Sequence, residues 1–100
     1  QKVNWNGKFE FAFSIQNPES DTQKLLIDFV IGFQKKDGSI SDKVFKLKKI
    51  DLEAGQEIEI KKGHSFKPIT TRVYYPGKHT LKIQINGEIV AVSAFELLKP

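Results

Sequence analysis

Alternation with a period of two dominates the chain, as in strands that bury one face. Phe9, Phe11, Phe13 and Ile15 alternate with Lys8, Glu10, Ala12 and Ser14, which predicts a strand with a single core face. Asn17-Pro18-Glu19-Ser20 ends it, because proline cannot continue a ladder. A second, longer strand is predicted from Leu25 to Lys35. Leu25, Ile27, Phe29, Ile31 and Phe33 line one side, and Leu26 and Val30 partly cover the other, so the strand belongs in the middle of its sheet. Asp37-Gly38 supplies the positive φ of a tight turn. From Val44 to Leu52 the phase changes: Phe45 and Leu47 share one parity, Ile50 and Leu52 the other. A β-bulge near Lys48-Lys49 would return all four to one face.

Shorter elements fill the rest. Val3 and Trp5 alternate ahead of a turn at Asn6-Gly7 and predict a short edge strand. Glu53-Ala54-Gly55 is a turn leading to a strand marked by Ile58 and Ile60. Leu81, Ile83 and Ile85 alternate up to Asn86-Gly87, a strong hairpin signal. A two-residue turn there pairs Ile85 with Glu88, Ile83 with Val90 and Leu81 with Val92, and puts Val90, Val92 and Ala94 on the core face. Phe95 and Leu97 then fall on the opposite parity, so a second bulge near Ala94-Phe95 or a covered outer face is expected.

One stretch fits neither period: His64 to His79. It reads as a long ordered connection before the sixth strand, and such loops are usually functional or structurally specialised. No helical pattern is present. Seven short strands separated by turns predict an all-β fold, an immunoglobulin-like antiparallel β-sandwich, with a small barrel as the alternative. His79 lies two residues before Leu81, where such sandwiches carry a corner tyrosine, and is expected to bond the backbone of the loop.

Composition narrows the picture. At 100 residues and 39% hydrophobic, the chain suits a single domain, residues 1–100, with one modest core. It starts at Gln1 and has no methionine, and is read as a domain excised from a larger protein. With no cysteine it can form neither disulfides nor thiolate metal sites. Its longest apolar run, Leu25 to Phe33, is interrupted by Asp28, and no signal-peptide pattern is present. A cytoplasmic, monomeric domain without cofactor or membrane contact is expected.

Charge is uneven. Between Ile60 and Gly87 there is no Asp or Glu, while Lys61, Lys62, Lys67, Arg72, Lys78 and Lys82 give a net +6 within a chain of net +4. Clustered cations attract polyanions such as nucleic acid, although lysines also merely keep small β-domains soluble. Phe66, Tyr74 and Tyr75 lie among these cations, and aromatic rings stack on bases. The candidate nucleic-acid contacts are therefore Lys61, Lys62, His64, Lys67, Arg72, Tyr74 and Lys78. The opposing reading packs Phe66 and one tyrosine under the loop, and a third pairs Arg72 with Asp28 or with an acidic partner. His64 and His79 with Ser65, Thr70, Thr71 and Asp28 supply residue types for acid–base chemistry, but no spacing links them as a nucleophile motif or a metal site. No catalytic residue is assigned. Trp5 is either a core or edge plug or a carbohydrate or protein contact.

Several segments together resemble a known family: Lys43-Val44-Phe45-Lys46-Leu47-Lys48, His64-Ser65-Phe66-Lys67, Ile69-Thr70-Thr71-Arg72, Tyr74-Tyr75-Pro76-Gly77-Lys78-His79, Ile85-Asn86-Gly87 and Phe95-Glu96-Leu97. They are similar to the C-terminal β-domain of bacterial DNA alkylation repair enzymes, in which HEAT-like helical repeats come first. Val73 stands where a further basic residue is expected. The resemblance places the family's glycosylase chemistry on the helical array. It implies that this domain is a non-enzymatic accessory part that contacts DNA or docks on the helical repeats. The competing expectation is a protein–protein interaction module with no DNA affinity, and an independent hydrolase is a third.

Overall fold

The computed structural model describes residues 1–67 and 73–100, and shows seven strands: β1 (Lys2–Val3), β2 (Lys8–Gln16), β3 (Gln23–Gln34), β4 (Ile40–Leu52), β5 (Glu57–Ser65), β6 (Gly77–Ile85) and β7 (Glu88–Leu97). One sheet has five strands in the order β1-β7-β6-β3-β4, and the other pairs β2 with β5. All pairings are antiparallel except β1 with β7. This is the immunoglobulin-like sandwich that the alternation predicts, with unequal sheets.

β3 is central as expected, flanked by β4 and β6, and Ile27, Phe29, Ile31 and Phe33 are buried. Facing them are Phe9 from β2 and Phe66 beyond β5, with Leu81, Ile83, Phe95 and Leu97 from the five-stranded sheet completing the core. The small sheet covers only part of the large one. Phe9 is therefore buried, whereas Phe11 and Phe13 are half-buried and pack against the cluster from its margin.

The bulge in β4 is present one residue before the expected pair. Ile27 opposes Lys48 and Asp28 opposes Lys46, so Leu47 is the extra residue, and Phe45 shares a face with Ile50 and Leu52. The register of β7 corrects the sequence expectation. Ile85 does pair with Glu88, but Gln84 pairs with Ile89 and Ile83 with Ala91, leaving Val90 as the extra residue. Leu81 opposes Ser93, not Val92. The bulge thus sits beside the turn and not at Ala94-Phe95, and it reverses the parity of the strand. Val90 and Val92 face solvent at 55% and 65% exposure, while Phe95 and Leu97 enter the core. The physical reason is volume: a phenylalanine and a leucine bury more apolar surface than two valines and an alanine would.

At the hairpin tip Asn86 and Gly87 both have positive φ, 50° and 84°, as a type I′ turn requires. Asn86 also docks the tip on β3. Its backbone N–H donates to Leu26 O, its Oδ1 accepts from Leu26 N, and its Nδ2 donates to Lys24 O. Trp5 lies in the turn after β1 and packs partly buried against the core, as a plug.

Candidate nucleic-acid interface

The expected loop is shorter than its pattern implies. β5 continues through His64 to Ser65 and β6 begins at Gly77, so the connection spans residues 66–76. Arg72, Thr70 and Thr71 lie outside the described residues, as do the expected pairing of Arg72 with Asp28 and the order of that part of the loop.

The candidate contacts separate into different places. Lys61 and Lys62 are exposed on β5, and Lys67 is exposed just beyond it. Lys78 is exposed on β6, opposite Glu96, and so belongs to the other sheet. Tyr74 is a core residue, with its ring 4.9 Å from that of Phe66 and 5.8 Å from that of Phe33. Phe66 is likewise buried, so these two rings hold the connection down. Tyr75 remains half-exposed. His64 is half-buried, with ring centroids 5.1 Å from Phe45 and 5.2 Å from Phe66.

His79 is fully buried among Phe33, Phe66 and Phe95. Its Nδ1 lies 3.1 Å from Gly77 O. A carbonyl only accepts, so Nδ1 carries the hydrogen. This is the backbone bond expected of it. Nε2, the remaining lone pair, has no hydrogen-bond partner among the described residues. Burial pushes the imidazole pKa below its usual value, against a smaller upward pull from the Gly77 carbonyl. Both histidines pack against rings, which is a structural placement.

Inward positions along the side of the sandwich where β4 and β5 face each other are the feature that sequence reasoning missed. These strands are not hydrogen-bonded to one another. Lys43 opposes Ile31, Lys48 opposes Ile27 and Lys62 opposes Phe11, so each lysine occupies a core-facing phase at an open edge. All three are exposed. Lys43 Nζ reaches back over the Phe45 ring at 5.7 Å from its centroid. The signal was available for Lys62, which continues the parity of Ile58 and Ile60. It was hidden for Lys48, whose phase depends on the bulge.

Residues 1–99 match the family described as "Uncharacterised protein YhaZ, C-terminal Ig-like domain", and the chain belongs to that family. It is 38% identical over 80 residues to YhaZ of Bacillus subtilis (strain 168), a match that covers 80% of this chain and 22% of that protein. Its fold matches part of the Pseudomonas fluorescens alkylpurine DNA glycosylase AlkC, solved bound to DNA containing an abasic site analog. The TM-score is 0.95 and the identity 33%, over 98% of this chain and 28% of AlkC. The chain thus spans about a quarter of the relatives it matches. A β-glucosidase from Listeria innocua shares the fold alone, with TM-score 0.80 and 17% identity over 96% of this chain and 14% of the enzyme. The resemblance to the C-terminal β-domain of DNA alkylation repair proteins therefore holds.

Proposed function

We propose that this domain is a non-catalytic accessory part of a DNA alkylation repair-type protein and that it helps hold DNA. The observation that carries the reading is the near-complete structural match to one segment of AlkC, a glycosylase solved on DNA. The acid-free run from Ile60 to Gly87 adds a local electrostatic reason. The placement of both histidines among aromatic rings supports a role without turnover. Titration with a labelled duplex, at low and at physiological salt, tests it. Binding that weakens steeply with salt is expected. No binding at low salt overturns the reading.

A second reading, docking on another protein segment such as helical repeats, is favoured by the outer face of the five-stranded sheet. Leu26, Val44, Ile89 and Val92 are each at least half exposed there. Association that is insensitive to salt would select it.

A further inference from the structure

We infer that the open side of the sandwich is a phosphate-binding strip for a nucleic-acid backbone, built from Lys48 on β4, Lys61 and Lys62 on β5, and Lys8 on β2. The inference rests on the DNA-holding reading above and names a surface for it away from the 66–76 connection.

Two open clefts meet on this side. One is lined by Lys48, Lys61 and Lys62 with Leu47, Glu59 and Ile60. The other is lined by Lys8, Lys61 and Lys62 with Glu10, Phe11, Ala12 and Gly63. They share Lys61 and Lys62, so the two linings together hold four lysines and two glutamates, Glu10 and Glu59. Glu59 is engaged by Lys61 at 3.2 Å. Lys8, Lys48 and Lys62 make no ion pair among the described residues.

The Lys8 stem passes over Gly63 on β5. Gly63 lies inside β5 opposite Glu10. A Cβ placed there would run into the Lys8 side chain at Cε, and would come within 3.0 Å of Nζ. A glycine within a strand marks a close approach, and here the approaching group is a lysine stem laid across β5. Lys8, Lys61 and Lys62 line one cleft, and like charges gathered there repel one another, which an anion relieves. Lysines at free strand edges also deter strand addition. That purpose is met by Lys48 and Lys62 alone and needs neither Gly63 nor Lys8 drawn across it. Several flexible ammoniums without a buried pocket fit a phosphodiester backbone better than a single small ligand.

The test compares the whole 100-residue chain with K8Q/K48Q/K62Q, with G63A, and with K67Q/R72Q, using fluorescence anisotropy on a labelled mixed-sequence duplex across a salt series. The expected result is that K8Q/K48Q/K62Q weakens binding at least tenfold at low salt and flattens the plot of log K against log salt by roughly 2–3, close to one unit per lost phosphate contact. G63A, with an unchanged circular dichroism spectrum, is expected to weaken binding in the same direction. Wild-type affinity and slope in K8Q/K48Q/K62Q would overturn the strip while leaving the DNA-holding reading intact, and a loss confined to K67Q/R72Q would move the contact to the 66–76 connection. Absence of wild-type binding at low salt would overturn both.

Discussion

The rings of Phe9 and Phe95 stack with centroids 4.0 Å apart and planes 14° from parallel. This pair bolts the small sheet to β7, the strand whose faces the bulge at Val90 exchanges. Both side chains are buried, at 2% and 3% exposure. Phe95→Ala is expected to lower stability by about 3–5 kcal/mol. Phe11→Ala, at a half-buried site, should cost roughly 1–2 kcal/mol less. Urea unfolding of the two variants checks the order. Equal costs would mean that the small sheet covers more of the core than its strands indicate.

The parity of β7 gives a second expectation. Val92→Thr changes a side chain that is 65% exposed and should move stability by no more than about 0.5 kcal/mol. Had Val92 faced the core, the buried hydroxyl would cost more than about 1 kcal/mol. A pair of melting curves separates the two cases.

The strands themselves were legible because their alternation survives without knowledge of partners. Phe9 to Ile15 and Leu25 to Phe33 each read correctly from spacing alone. Bulges were only half legible. In β4 the phase change lies between Leu47 and Ile50, so the bulge declares itself close to its true place. In β7 the turn residues were read correctly, yet a bulge three residues after Gly87 reverses the strand, and only competition between Phe95 and Val92 for the core decides it. The proposed interface was less legible still. A run without acids marked Lys61 and Lys62, but Lys8 and Lys48 join them through sheet pairing and register, which no linear window contains. Asn17 was read only as part of a turn.

Asn17 is in fact a buried junction. Its Nδ2 donates to Leu52 O at 2.9 Å and to Asp21 O at 2.8 Å, and its Oδ1 accepts from Glu19 N at 2.9 Å. It thereby ties the end of β2 to the end of β4 across the sandwich. Asn17→Ala leaves the Leu52 carbonyl without this donor, and a buried group left unpaired costs about 1–3 kcal/mol. Denaturant midpoints provide the check, and Asn17→Asp, which keeps the Glu19 bond but loses both donations, should fall at least as far.

Acid sensitivity follows from His79. Burial lowers its pKa in the folded state below the unfolded value of 6.5. Between those two values the unfolded chain binds more protons, so stability rises with pH there. The contribution is therefore fully present above about pH 6.5 and is lost progressively as pH falls through the folded pKa. Protonation would also place an N–H at Nε2, where no described residue offers an acceptor. The difference in unfolding free energy between the wild type and His79→Gln, followed from pH 8 to 5, isolates this group from other titrations. A difference independent of pH would mean that the ring stays solvated.

Gly32, near the C-terminal end of the long central strand, is held without a side chain because its neighbours leave no room for one. A Cβ at this position would overlap Thr80 Oγ1 on β6, and would come within 2.7 Å of Ile40 Cγ2 and 3.0 Å of Asp42 Oδ1 on β4. The neighbouring strands thus close over β3 from both sides, and their side chains use the space a methyl group would need. Gly32→Ala should lower stability by roughly 1–3 kcal/mol through overpacking. Thr80 is the nearest obstacle, so Thr80→Ala should remove a good part of that cost, and the two substitutions should be coupled by at least about 0.5 kcal/mol in a double-mutant cycle. Purely additive effects would shift the obstruction to Ile40, whose side chain is 46% exposed, and the same cycle with Ile40→Val would then show the coupling.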